Sequence, residues 1–325
     1  MKIGICLNSL SCGGVEKFVF DLAKGLSQTT DCEPIIIAIV GGLFEELFKR
    51  NNIEVRYGAW NDNFKDIDLI NIHASGFGYA IAKEINKPII ETLHSHFCIG
   101  QFRECDYYIY NNEQLLNYFI APEDKRTIIY PGVEIPDIIV KPVENIIHLG
   151  YLGRIDSIKR VPPLVIVFND LVKENPDVDF SIIGDGEEGK DVVDLISKYG
   201  LKDKVHYYGF RDDFGSILEN WDIILSNSLS ESFGLAQAEA MSYGAVSVST
   251  PTIGSKIVAG ENGFFSNNMN IDSFRFKLKE VISLPKGELN QLKFNARERI
   301  KSNFSLDKMV KSYIEVFKKV GNANV

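Results

Sequence analysis

The sequence predicts an α/β protein built from two doubly wound, parallel-sheet domains, and three observations carry that prediction. Short continuous apolar runs alternate with stretches whose apolar residues recur at helical spacing, the texture of strands buried on both faces and joined by crossover helices. The alternation breaks near residue 131 in PGVEIPDIIVKPVEN, which holds Pro131, Pro136 and Pro142 and no helical period. It then restarts with the same texture, so the break reads as an interdomain linker. We place the domains at 1–137 and 138–304, facing each other, with the ligand cleft between them.

Taken in order, KIGICL (2–7) is a strand and VEKFVFDLAKGLS (15–27) a helix. PIIIAIV (34–40) is a strand, followed by the helix GLFEELFKR (42–50). Its Leu43, Phe44, Leu47 and Phe48 suit core packing better than a membrane or a lipid-linked acceptor. DLINIH (68–73), PIIETLH (88–94), DYYIY (106–110) and TIIY (127–130) are further strands. After the linker come strands at 146–152, 178–184, 204–209, 221–226, 245–249 and 263–266. Helices are expected at 162–173, 188–199, 272–283 and 288–302, and FSLDKMVKSYIEVFKKV (304–320) closes the chain. Right-handed β-α-β units follow from the alternation.

The whole chain sets bounds. Its 325 residues suffice for two domains, and 45% hydrophobic with 24% charged residues is ordinary for a globular protein. No apolar run reaches the roughly 18 residues of a membrane span, and the first residues lack a signal peptide's long apolar block. Five cysteines without a C-x-x-C pair argue against a disulfide framework, so a cytoplasmic location is expected. Net charge of −9 argues against nucleic acid as a partner. It leaves open peripheral docking at the inner face of a membrane through a local basic or amphipathic patch.

The stretch Asn227–Gly244, NSLSESFGLAQAEAMSYG, follows the strand WDIILS and organises the rest. Leu235, Ala238 and Met241 fall at helical spacing, and Gly244 ends the helix. Ser232 or a neighbour is expected to cap its start, leaving the N–H groups of Ser232, Phe233, Gly234 and Leu235 pointing outwards. An anion can approach such a helix start. Glu231 and Glu239 frame it, and carboxylates suit hydroxyl-rich groups rather than phosphate. An anionic middle with polyol ends describes a nucleotide-sugar. The plainer alternative is two solvated charges on an ordinary helix.

Other loops offer compatible chemistry. Gly13 and Gly14 precede the first helix and permit close backbone approach to an anion, although neither a G-x-G-x-x-G fingerprint nor a P-loop occurs. Arg154 and Lys159 lie just after a strand, where two cations can neutralise a diphosphate from two sides. His94 ends PIIETLH, where an open sheet would turn it towards the cleft. His94 and His96 lack a third metal ligand at an obvious spacing, so no metal site is expected. The triplets Asp66/Asp68 and Asp177/Asp179 stand at the head of apolar strands, the wrong end of a sheet for a ligand. Gly184 in GDGEE lets a flat base lie against backbone, and Phe210 and Arg211 in YGFRDD suit its face or edge.

GGVEKFVFDLAKGL, TLHS, YPGVE, LGRIDSIKR, IIGDGEE, YYGF, ESFGLAQAEAMSYG and GENGFF occur in the order of a family 4 glycosyltransferase, the retaining group with the GT-B fold. The chain resembles that family over nearly its whole length, and the E-x7-E element, Glu231 to Glu239, is the most specific part. The resemblance implies that Arg154 and Lys159 hold the diphosphate in place of a metal and that Glu239 bonds the ribose hydroxyls. It implies that Glu231, with the N–H groups of Phe233 and Gly234, holds the sugar hydroxyls and distal phosphate. His94 would contact the sugar near the reacting carbon, and Gly13 and Gly14 would close over the diphosphate. Helix 305–325 would pack on the N-terminal domain. No cofactor is implied: the partners are a nucleoside-diphosphate sugar donor, a UDP-sugar first, and a glycan or lipid-linked acceptor. Transfer would proceed by front-face attack without a catalytic carboxylate base. The alternative on the same fold is a nucleotide-sugar 2-epimerase, whose proton-abstracting acids and histidines have no counterpart here. The short N-terminal domain leaves the acceptor open.

Overall fold

The computed structural model describes residues 1–11, 13–58, 61–73, 76–94 and 104–322. The chain divides into two compact units, one formed by Met1–Gly132 with Ser305–Val325 and the other by Val133–Phe304. The break therefore falls at Gly132, where the linker prolines begin.

In the first unit, β1 (Lys2–Ser9), β2 (Glu33–Val40), β3 (Glu54–Tyr57), β4 (Leu69–His73), β5 (Ile89–Leu93), β6 (Tyr107–Tyr110) and β7 (Arg126–Ile128) form one sheet in the order β3-β2-β1-β4-β5-β6-β7. All these pairings are parallel. Every residue of β4 and β5 is buried, the apolar ones together with Asn71, His73, Glu91 and Thr92. The helices α1 (Gly14–Ser27), α2 (Phe44–Arg50) and α3 (Gly76–Glu84) connect the strands. Helix α1 buries Phe18, Val19, Leu22 and Leu26. Phe44 and Phe48 of α2 pack against Phe20 of α1, whereas Leu43 stays exposed, so most of the apolar face of α2 is core.

In the second unit, β8 (Ile147–Leu152), β9 (Val178–Ile183), β10 (Val205–Tyr207), β11 (Ile223–Ser226), β12 (Val246–Ser249) and β13 (Gly263–Phe265) run in the order β10-β9-β8-β11-β12-β13, again all parallel. Around them lie α4 (Val161–Glu174), α5 (Gly189–Lys198), α6 (Gly215–Leu218), α7 (Leu235–Ser242), α8 (Ile253–Ala259), α9 (Ile271–Ile282) and α10 (Lys286–Asn303). The Trp221 indole is buried across Gly150 of β8, where any Cβ would come within 2.1 Å of the ring. Next to it Lys293 of α10 and Asp222 form a fully buried ion pair at 2.5 Å, and Asp222 also accepts from His148 N at 2.9 Å. These bonds offset part of the cost of taking both charges out of water.

The closing helix α11 (Leu306–Asn322) belongs to the first unit. Gly25 of α1 lets it approach closely, since a Cβ there would stand 2.4 Å from Val310 Cγ2. Tyr313 reaches Thr92 of β5, hydroxyl to hydroxyl, at 3.2 Å.

Four elements differ from the sequence expectation: β3, α3, α6 and α8 carry no sequence signal strong enough to show. EVRY is a four-residue edge strand with no fully buried residue, GFGYAIAKE has glycine at two of its first three positions, α6 is a single turn and α8 spans two turns. No helix among the described residues is long and apolar enough to cross a membrane.

Candidate functional site

Each sheet reverses strand order beside its first strand: β8 lies between β9 and β11, and β1 between β2 and β4. Loops leaving the carboxyl ends of such neighbours diverge to opposite faces, and the crevice between them is where open α/β sheets take ligands. In the second unit the loops after β8 and β11 supply Arg154, Lys159 and Glu231.

Those two loops are tied together. Asp156 Oδ1 accepts from Ile158 N at 3.1 Å and Lys159 N at 2.9 Å, turning the chain so that Lys159 and Arg160 face the neighbouring loop. Arg160, in the left-handed region at φ 51°, gives Nε to Asn227 O at 2.9 Å and Nη2 to Asn227 Oδ1 at 2.8 Å. Its Nη1 donates to Met269 O at 2.8 Å, and Asn227 Nδ2 returns a bond to Arg160 O at 3.1 Å. Leu229 N donates to Ile158 O at 2.8 Å. Held this way, Lys159 Nζ meets Glu231 Oε1 at 2.5 Å, with the two side chains 19% and 17% exposed. Ser228 Oγ donates to the same oxygen at 2.8 Å, and Glu231 Oε2 has no partner among the described residues.

Arg154 stands further out, pairing with Asp156 Oδ2 at 3.2 Å, and its backbone oxygen accepts from the Tyr151 hydroxyl. Burial pushes the Tyr151 phenol well up, the carboxylates of Glu231 and Asp156 raise it further, and Arg154 opposes them. One buried ring thus feels all three charges.

The helix after Glu231 starts later than expected. Gly234, at φ 99°, is the residue before the first turn, and no side chain caps α7. Ser232 is therefore two positions too early to cap it, and the expected set of outward amides moves along the chain. The first helical bond runs from Ala238 N to Gly234 O, which leaves the amides of Leu235, Ala236 and Gln237 without helical partners. The left-handed backbone explains the shift: only glycine makes that turn readily, and it redirects the chain after Phe233. Phe233 is buried, and its backbone lies against Gly254, where a Cβ would come within 2.6 Å. Glu239 sits in the second turn of α7, half-buried, and its charge helps raise the Tyr243 phenol, which burial raises most.

Gly184 has a packing reason of its own. A Cβ there would fall 1.8 Å from Gly153 O, so the loop after β9 lies against the loop after β8. Bonds from Gly153 N to Ile183 O (3.0 Å) and Ile155 N to Asp185 O (2.9 Å) join them. Phe210, 44% exposed, and Arg211 stand in the loop after β10 at the sheet edge, where Arg211 forks onto Asp213 at 2.9 and 2.8 Å.

Gly13, Gly14 and His94 belong to the first unit. Gly13 precedes α1 in an extended conformation with no side-chain cap, and Gly14 has open space around its Cβ position. The carboxylate of Glu16 lies over the same helix start and accepts from Ser11 Oγ at 3.2 Å. His94 is buried at the end of β5, its ring edge-on to Phe18 at 4.8 Å, with Nε2 2.8 Å from His73 Nδ1. His73 Nε2 in turn lies 2.8 Å from Asn71 Oδ1. Burial pushes the His94 imidazole down to about 4 and His73 well below its usual range, so both are neutral at pH 7. His96 lies outside the described residues.

The acidic triplets make structural bonds. Asp66 pairs with Lys2 and Arg56, Asp68 Oδ2 accepts from Lys2 N at 2.8 Å, and Asp179 pairs with His148 at 2.7 Å. Among the described residues no three acidic, histidine or cysteine side chains cluster as metal ligands.

Sequence reasoning missed Arg160, Asn227 and Ser228, which hold Lys159 and Glu231 in register, and Asn71 and His73 behind His94. The order N-S immediately after WDIILS was the available sign for the first set, and the alternation of Asn and His in LINIH for the second.

Comparison with known proteins places these features in context. The family model described as Glycosyl transferases group 1 matches residues 137–299. The N-acetyl-alpha-D-glucosaminyl L-malate synthase of Bacillus anthracis is 27% identical over 173 residues, 52% of this chain and 44% of that protein. The poly(glycerol-phosphate) alpha-glucosyltransferase of Bacillus subtilis is 27% identical over 215 residues, 60% of this chain and 31% of that one. The chain thus spans less than half the length of these two relatives. The crystal structure of Anabaena Alr3699/HepE in complex with UDP-glucose superposes with a TM-score of 0.82 at 19% identity, covering 98% of this chain and all of the other.

Proposed function

Because the chain belongs to the group 1 glycosyl transferases and has the GT-B fold, we propose that it transfers a sugar from a nucleoside-diphosphate sugar to a hydroxyl of a glycan or lipid-linked acceptor. The donor in this reading is a UDP-sugar, and the anomeric configuration is retained. The observation that carries it is the Lys159–Glu231 pair at the β8/β11 crossover, followed in the chain by the amides of Leu235, Ala236 and Gln237, which have no helical partners. A diphosphate uses a cation and amide donors, and a sugar's hydroxyls use a carboxylate oxygen that still has acceptor capacity.

In the reaction, the acceptor oxygen attacks the anomeric carbon from the face the diphosphate leaves. The bond from that carbon to the terminal phosphate oxygen breaks, and the acceptor's proton passes to the leaving oxygen. Arg154 and Lys159 supply the positive charge that this oxygen needs as it departs, the part a divalent ion plays elsewhere. Glu231 orients the sugar, and Glu239 takes the ribose hydroxyls. The names of both curated relatives specify α-linked sugars, the outcome that retention gives from an α-linked nucleotide donor. Both are named for transfer or synthesis of a glycosidic product, and nothing in the site favours the 2-epimerase reading.

The test is a thermal-shift screen of UDP, GDP, ADP and their sugars, with and without EDTA, followed by transfer assays on the hits. A ligand at 100 times its Kd stabilises the native state by about 2.7 kcal/mol, so the true donor stands out. UDP-sugar binding and turnover that persist in EDTA are expected. Stabilisation by another nucleotide alone would replace the base assignment, and activity lost to EDTA would end the metal-free mechanism.

A further inference from the structure

Behind His94 lies a run of buried polar groups whose hydrogen positions can be worked out in sequence. Asn71 Nδ2 meets Ile90 O at 3.2 Å and Thr92 Oγ1 at 3.0 Å. A backbone carbonyl accepts only, so the amide nitrogen must be the group facing it, and this orients the Asn71 side chain. Its Oδ1 then faces His73 Nε2 at 2.8 Å, which makes that ring nitrogen the donor. His73 is neutral, as its burial requires, so Nδ1 carries a lone pair. That lone pair lies 2.8 Å from His94 Nε2, which therefore donates. His94, neutral for the same reason, is left with its hydrogen on Nε2 and a lone pair on Nδ1. Phe18 packs against both imidazoles, with ring centroids at 5.6 Å from His73 and 4.8 Å from His94.

We propose that Asn71 and His73 are positioning residues: their ordered hydrogen-bond relay locks His94 in the Nε2–H tautomer, so that Nδ1 presents an acceptor to a hydroxyl of the bound sugar substrate. The relay runs from β4 to the end of β5 and uses only neutral groups. Reversing the tautomer would turn an acceptor into a donor at the same place without moving an atom of the backbone. The functional half of this proposal rests on the transferase reading and on His94 facing the sugar. The tautomer half does not.

Two measurements on the full chain separate these halves. The first is a long-range ¹H–¹⁵N correlation spectrum with labelled histidine at neutral pH, assigned through His73→Asn and His94→Gln. Both rings should appear as pure Nε2–H tautomers. His73→Leu removes the acceptor and should leave His94 as a mixture. His73→Asn puts a carbonyl near the old Nδ1 position and should restore it. The second is donor kinetics. Losing one such hydrogen bond is worth roughly tenfold, so His73→Leu should lower kcat/KM by about that factor. The loss should divide between KM and kcat as it does in His94→Gln, and the double variant should lose no more than His94→Gln alone. His73→Asn should stay near the parent.

Hydrogen on Nδ1 of His94 in the parent spectrum overturns the relay. A changed tautomer with unchanged kinetics in His73→Leu overturns the positioning role. If His73→Leu does not fold, the parent and His73→Asn spectra still decide the tautomer. A chain that binds no nucleotide-sugar defeats the transferase reading, while the spectra, recorded without substrate, still judge the relay.

Discussion

At the crossover of the second sheet, between β8 and β11, fixed charges face one another: Lys159 on Glu231, Arg154 on Asp156, and Arg160 anchored to Asn227. One strand further along the matching order of the first sheet, the ends of β4 and β5 carry His73 and His94, neutral and linked to Asn71. The two places also differ in depth. Lys159 and Glu231 keep about a fifth of their surface in water, and each has the other, whereas His73 and His94 are buried almost completely. Unpaired charge at such depth costs several kcal/mol, so the buried site uses dipoles instead. A charged pair thus stands at the shallower strand ends and a neutral relay at the deeper ones.

The histidines outside the site sharpen the contrast. His148, in the second unit, is held up by its bond to Asp179, against some burial. His73 and His94 are held down by burial alone or burial with each other.

The largest effect should come from removing charge. Lys159→Ala should lower kcat by roughly 10²–10³, the scale of losing one preorganised donor to a developing oxyanion, with a smaller change in donor KM. A parent-like turnover in steady-state assays would detach the charged crossover from catalysis.

Next is Glu239→Ala. Bonds from hydroxyls to a carboxylate are each worth about 1.5–3 kcal/mol, so UDP affinity by calorimetry should fall about 10- to 100-fold. Unaltered affinity would remove the second carboxylate of the E-x7-E element from the nucleotide site.

The third prediction concerns acid. His73 and His94 have folded-state pKa values below the roughly 6.5 of a free histidine, so the unfolded chain binds more protons. Their contribution to stability is present above pH 6.5 and is lost as the pH falls towards about 4. His148, with a raised pKa, acts in the opposite direction and loses its contribution as the pH rises through that value. Urea denaturation between pH 7 and 4 should therefore show a shallower acid slope for His73→Asn than for the parent. Parallel curves would mean that the buried imidazoles are not the neutral pair described.

The smallest effect belongs to Arg211→Ala. Its pair with Asp213 is on the surface, where such pairs contribute little, so the melting temperature should not move. UDP affinity should drop a few-fold if the side chain lies along the base, and an unchanged value would remove Arg211 from the site.

Much of this was legible in the residues because it is local. Continuous runs such as LINIH and PIIET announce buried strands, the spacing in VEKFVFDLAKGLS announces one apolar helix face, and the prolines at 131, 136 and 142 mark the break between units. The loops bearing Lys159, Glu231 and His94 could be named as strand-end loops for the same reason. What lay outside local pattern was missed: EVRY at a sheet edge, the glycine-rich start of α3, and the Gly234 turn that displaces the cap expected at Ser232.

The sequence by itself determined the α/β alternation, the division near the linker and the residue types at each strand end, since period, glycine and proline act within a few positions. Only the tertiary structure decided which strand ends meet. Lys159 finds Glu231 across 72 positions, and His94 finds His73 across 21, because crossover connections bring β8 beside β11 and β4 beside β5. Partnership, depth and hence charge state are set by that adjacency, and no local pattern encodes it.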